Sequence, residues 1–238
     1  MKQHHKIIFL TIILVIFTSF SLFAWPIPDS GLTKCYNDTE EIPCPSPGDA
    51  FYGQDGNYSI NSQSYTKLDA NGNDLPDTAT DWVMVRDNVT SLIWEVKQNK
   101  DAVQNYSNPH DADNGYTWYD SDPETNGGDA GKSGDGNDTE DFINALNAEG
   151  FGGHNDWRLP TIRELGSIVD SERFFSVMDD EYFPNTHVSP YLSSTTYFKR
   201  SNVWDMDFES GNDGWASKYS GITSVRAVRD GRSRSFDH

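Results

Sequence analysis

The sequence predicts an α+β fold made of two short helices and a mostly antiparallel sheet that ends in a C-terminal β-meander. Two segments, DTEDFINALNAEG (138–150) and TIRELGSIVD (161–170), carry apolar residues at helical spacing behind cap-forming residues. After residue 190 the period changes. YLSSTTYF (191–198), NVWDMDF (202–208), GWASKY (214–219) and SVRAVRD (224–230) are short, β-rich and divided by turn residues. Helices followed by a run of strands indicate an α+β domain. Only 35% of the 238 residues are hydrophobic, but seven Trp, eleven Tyr and thirteen Phe supply large side chains for one core.

Residues 1–24 differ from the rest. MKQHHK is a short basic stretch, and IIFLTIILVIFTSFSLFA (7–24) is uncharged and apolar. This reads as a signal peptide cut before Trp25, with an uncleaved anchor as the alternative, and export follows from either. No other apolar run could span a membrane. Residues 25–80 are rich in Pro, Gly, Asn, Asp and Ser and read as an extended lead-in, with a short hairpin around FYGQDGNYSI. Within it, Cys35 and Cys44 stand nine apart, which in an exported chain indicates a local disulfide; the prolines around Cys44 argue against a helical redox pair.

A domain over residues 81–232 follows, with a tail at 233–238. WVMVRD (82–87) and SLIWEV (91–96) read as strands separated by a turn. Residues 98–137 are polar, and 120–141 hold eight acids against Lys132, as expected of a surface excursion. In the first helix Asp138 or Thr139 caps, Phe142, Ile143 and Leu146 face inward, and Gly150 stops the chain. DWRLP (156–160) reads as a strand that Pro160 ends. Thr161 and Glu164 form a capping box for the second helix, whose Ile162, Leu165, Ile168 and Val169 share a side. In the strand 202–208, Trp204, Met206 and Phe208 alternate with Asp205 and Asp207, a pattern expected of one dry and one wet face.

With 18 basic and 37 acidic residues, the net charge is −19. Such a field excludes nucleic acid as a partner, since phosphate binding needs an excess of Lys and Arg. The charge is unevenly placed: residues 199–238 hold seven bases and six acids, whereas 25–198 hold nine and 31.

Taken in order, DNVTSLIWEVK (87–97), FGGHNDWRLPTIRELGSIVD (151–170), VWDMDFESGNDGW (203–215) and SVRAVRDG (224–231) resemble the C-terminal domain of the Lcl collagen-like adhesin. The resemblance covers roughly residues 80–232. It implies a C-type-lectin-like fold, related also to the formylglycine-generating enzyme, and a role in adhesion or glycan binding, with trimer assembly as one arrangement. This chain departs from the family pattern at Ser91, where Gly often precedes the Leu-x-Trp. It also lacks the second Cys pair that often ties the acidic loop.

Several motifs carry candidate chemistry. The Arg-rich meander points to Arg226, Arg229 and Lys218 for anionic groups, with Trp204 and Trp215, and beside them Tyr197 and Tyr219, as stacking faces for sugars. Asp135, Asn137, Asp138 and Asp141 are closely spaced oxygens that could hold calcium weakly; Asp69, Asn71, Asn73, Asp74 and Asp77 form a second such set, and neither fits the EF-hand spacing. No other cofactor is expected. GGDAGKSG (127–134) fails the phosphate-loop pattern because Asn126 replaces the first Gly. There is no H-E-x-x-H and no G-x-S-x-G, and the cysteines lie in the lead-in, outside the formylglycine-like region. Asp205 and Asp207 share a strand face, but nothing sets them across a substrate. The sequence therefore reads as an exported, non-enzymatic binding module whose partner is a glycan or a surface protein. The alternative is an envelope or pilus-like assembly subunit that contacts only proteins.

Overall fold

A computed structural model describes residues 26–232 except 135 and 174. The leader, Trp25 and the tail lie outside the described residues. Among the described residues, nine strands and two α-helices follow the order β1 (Cys35–Tyr36), β2 (Glu41–Ile42), β3 (Tyr65–Leu68), β4 (Met84–Asp87), β5 (Leu92–Glu95), α1 (Thr139–Glu149), α2 (Ile162–Ser167), β6 (Pro190–Thr196), β7 (Asn202–Asp207), β8 (Asp213–Ser217) and β9 (Val228–Asp230). Every strand pair is antiparallel. The protein is α+β.

The lead-in is more structured than its composition predicts. β1 and β2 form a small hairpin closed by the Cys35–Cys44 disulfide, and the expected hairpin near residue 55 is instead a 3-10 turn over Asp55–Asn57. β3 enters the central sheet, whose order is β3-β4-β5-β9. The C-terminal segments do not form one meander. β6, β7 and β8 make a separate three-stranded sheet, and β9 leaves it to pair with β5, with Trp94 opposite Val228. DWRLP contributes a single bridge beside β9, made by reciprocal backbone bonds between Arg158 and Val228.

The central sheet is covered on both faces, which explains why β5 is buried at every position. Val85, Leu92, Trp94 and Val228 pack into a cluster with Leu165 of α2, with Ile168 just beyond it, and with Tyr191, Met206 and Phe208. Met84, Ile93 and Ala227 face the second cluster, with Phe142 and Leu146 of α1, Trp118 and Trp157.

The cap signals hold, although α2 stops at Ser167, so the expected Ile168 and Val169 lie just beyond it. Asp138 caps α1 by accepting from the Asp141 backbone N–H at 2.9 Å, and Asp141 completes the box. Gly150 takes φ +67°, the left-handed conformation that ends helices. Thr161 and Glu164 form the predicted box on α2, and Glu164 also takes Arg158 at 2.6 and 2.8 Å.

Candidate functional site

The cations that the sequence places on a binding face are not on the surface. Arg226 is fully buried: it donates to the Glu95 carbonyl at 2.6 Å and to Thr186 Oγ1 at 2.7 Å, with its guanidinium over the Phe183 ring. Lys218 is fully buried as well. Its Nζ donates to the carbonyls of Asn126 (2.7 Å) and Asp129 (2.9 Å) and to Thr196 Oγ1 (3.1 Å), and sits 3.9 Å from the Trp118 ring centre. Arg229 is 8% exposed and held by both oxygens of Asp156. All three expectations are corrected, for one physical reason. Lys218 follows β8, Arg226 precedes β9 and Arg229 lies within β9, and at each of them neighbouring loops and strands fold over the cation, so its charge is spent on internal acceptors.

Beside Arg226 lies a buried charge network that no motif in the sequence announces. Glu95 accepts from Lys97 Nζ at 3.1 Å, from His110 Nδ1 at 2.9 Å and from the Ala227 N–H at 3.0 Å. The other ring nitrogen of His110 meets Glu149, the last residue of α1, at 2.8 Å. Burial alone would raise the Glu95 carboxyl, but Lys97 and His110 reverse this and hold it at about 2. Burial also opposes charge on His110, and the two glutamates outweigh it, raising its pKa. The signal in the sequence was Glu95 itself, an acid inside the apolar run LIWEV. The group acts as a clasp between β5 and α1.

The expected calcium ligands serve as caps and turn-formers. Asp138 accepts from Asp141 N and Gly134 N, and Asp141 accepts from Gly136 N. Asn137 stands in the same turn and gives its carbonyl to Thr117 N; Asp135 lies outside the described residues. In the second set, Asp69 takes the backbone of Asn71 and Asn73, and Asp74 takes both arms of Arg86. Among the described residues, no group of three or more His, Cys, Asp or Glu could hold a metal.

The aromatic candidates do come together. Trp204 of β7 lies directly across from Trp215 of β8. Tyr197 stands edge-on to Trp204 at 4.6 Å and stacks with Trp215 at 6.3 Å, and Phe198 lies 4.3 Å from Tyr197. α2 packs on β6 and β7, and Met206, two positions beyond Trp204, is buried on its side. At Trp204 and Trp215 the same face is open. Phe198 is 86% exposed and Trp215 58%, so these rings form a surface rather than a core. Phe198 was not foreseen. Tyr219 stands apart, its hydroxyl donating to Asp129. The expected wet face of β7 is only partly wet, since Asp205 is 7% exposed, with burial and Asp207 raising its carboxyl pKa.

The model of the Lcl C-terminal domain matches residues 83–229, more than half of the chain. The chain belongs to the Lcl C-terminal domain family. No curated protein matches it. Against the family, the two departures gain a structural meaning. Ser91 has φ +66°, a left-handed conformation that glycine adopts freely and serine does not. The acidic loop, lacking the second Cys pair, is tied down by Lys218 through two of its carbonyls and by Tyr219 through Asp129. No helix among the described residues is long and apolar enough to cross a membrane.

Proposed function

We propose that the chain is an exported, non-enzymatic adhesion module with a C-type-lectin-like arrangement, and that it binds saccharides by stacking them on Tyr197, Phe198, Trp204 and Trp215. The observation that carries this reading is the cluster of four neighbouring rings on an exposed sheet face. Sugar rings present C–H faces that pack on aromatic rings, and exposed aromatic patches of this kind mark interaction surfaces. Membership in the Lcl C-terminal domain family and the lead-in disulfide support an adhesive role outside the cytoplasm.

The burial of Arg226, Arg229 and Lys218 sharpens the ligand class. Next to the rings, the exposed cations are Lys199 and Arg200, in the turn between β6 and β7. Two cations on a chain of net charge −19 favour a neutral saccharide over a sulfated one. The test is a glycan array probed with the purified protein and with Trp215→Ala. Binding to neutral glycans that falls about tenfold in the variant (about 1.4 kcal/mol) supports the reading. Silence on every glycan, with capture of an envelope protein instead, would replace it by the assembly-subunit reading.

A further inference from the structure

A concave site lies between the acidic loop, the first turns of α1 and the WRLP segment, and shares no residue with the aromatic face. It is a cleft of about 480 Å³. Its floor includes Tyr119, Ile143 and Leu159, all half-buried, and its rim carries Asp120, Asp122 and Glu140. Arg158 also lines the cleft, but both arms of its guanidinium are taken by Glu164, so it contributes no free positive charge.

The rim acids keep acceptor capacity after their internal bonds. Glu140 orders the loop by accepting from the Ser121 backbone and hydroxyl at 2.6 and 3.0 Å, and Asp120 accepts from Asp122 N and the Thr125 hydroxyl. Asp122 uses one oxygen on Glu124 N at 2.9 Å, and its other oxygen has no partner among the described residues. An apolar trough ending in carboxylates matches one kind of side chain in particular: a methylene stem carrying a cation at its tip.

We propose that this cleft docks a short basic segment of a partner protein, seating an Arg or Lys side chain with its stem on Ile143 and Leu159 and its charged head at Asp122 and Glu140. The occupant follows from charge complementarity: three carboxylates rim the cleft, its lining cation is neutralised, and the whole chain is strongly acidic. The volume exceeds one side chain and accommodates two or three residues, so the probe is a tripeptide. Specificity for Arg would come from its planar fork meeting carboxylates two oxygens at a time.

The experiment is a titration of the 15N-labelled protein with N-acetyl-Arg-Leu-Arg-amide, followed by amide chemical shifts, in parallel with the citrulline analogue, which keeps shape and loses charge. The expected result is saturable shifts confined to residues 118–125, 139–143 and 158–159, absent with citrulline. In Asp122→Lys, an exposed position remote from the core, affinity falls at least about tenfold while the remaining spectrum stays in place. Shifts spread evenly over the acidic surface would overturn the proposal by reducing it to unspecific attraction. Equal binding of the citrulline peptide, or no shift up to about 10 mM, would overturn it as well. Because Trp215→Ala leaves this cleft untouched, failure here and failure of the saccharide reading are read separately.

Discussion

Replacing Arg226 by Ala separates a structural cation from a binding one. The substitution removes a fully buried guanidinium that donates at 2.6 Å to the Glu95 carbonyl and at 2.7 Å to Thr186 Oγ1, and that covers the Phe183 ring. Each lost charge-assisted bond leaves a buried acceptor whose desolvation costs about 1–3 kcal/mol, and truncation opens a cavity on the aromatic side. Arg226 also carries a buried Nε without a partner, so its removal relieves one unsatisfied donor and trims the sum. The net expectation, two stranded acceptors plus the cavity less the relieved donor, is a loss of about 3–5 kcal/mol. In a domain of this size that lowers Tm by roughly 6–20 °C. Urea unfolding followed by tryptophan fluorescence measures it, and the matched control is Trp215→Ala, whose exposed ring costs under about 1 kcal/mol. A change below about 1 kcal/mol in Arg226→Ala, together with lost ligand binding, would refute the assignment of Arg226 to the core.

Other expectations follow from the same geometry. Ser91→Gly relieves a left-handed serine and stabilises by about 0.5–1 kcal/mol, read as a raised urea midpoint; a drop would mean that the Ser91 side chain does more than tolerate its conformation. The clasp around His110 sets the pH profile: its raised pKa adds stability that is full below the unfolded value near 6.5 and is lost as pH rises through the folded pKa. Glu95, held at about 2, adds stability that is present above about 4.5 and lost as pH falls toward 2. The unfolding free energy therefore peaks between these windows, and His110→Gln flattens the alkaline side; an unchanged slope there would remove His110 from the account. Joint replacement of Cys35 and Cys44 by Ser costs about 2–3 kcal/mol in the chain-entropy treatment of so short a loop, seen as faster exchange in β1–β2. Because Asp138 and Asp141 are committed to capping, melting in millimolar calcium and in EDTA should agree within about 1 °C, and Asp138→Ala should cost about 1 kcal/mol.

Local signals in this sequence were legible and long-range ones were not. Asp138, Thr161, Glu164 and Gly150 act within a turn of themselves, so both helices and their caps could be read directly. The segments of β4, β5, β7 and β8 likewise announced themselves by composition. The partner of a strand is a different matter: nothing inside VRD tells β9 to leave the β8 edge and join β5, and nothing in YTKL marks β3 as part of the central sheet. The same limit misplaced the site. Arg226 sits between buried Val225 and Ala227 just ahead of β9, and nothing local marks it as interior rather than as part of an Arg-rich face. What puts Arg226 inside is the pair of acceptors Glu95 and Thr186, which lie 131 and 40 residues away in sequence. The aromatic face was half legible, as Trp204 and Trp215 are strand neighbours, while Phe198 joined them only through the turn geometry.

The most direct test of the central claim is to follow the indole N–H signals while neutral oligosaccharides of the cello-, xylo-, malto- and chito- series are added. Trp204 and Trp215 should shift with at least one series, while Trp94, Trp118 and Trp157, all buried, stay still. Indole signals that remain fixed for every series, or that move only at the buried positions, would contradict the assignment of the exposed rings to ligand binding.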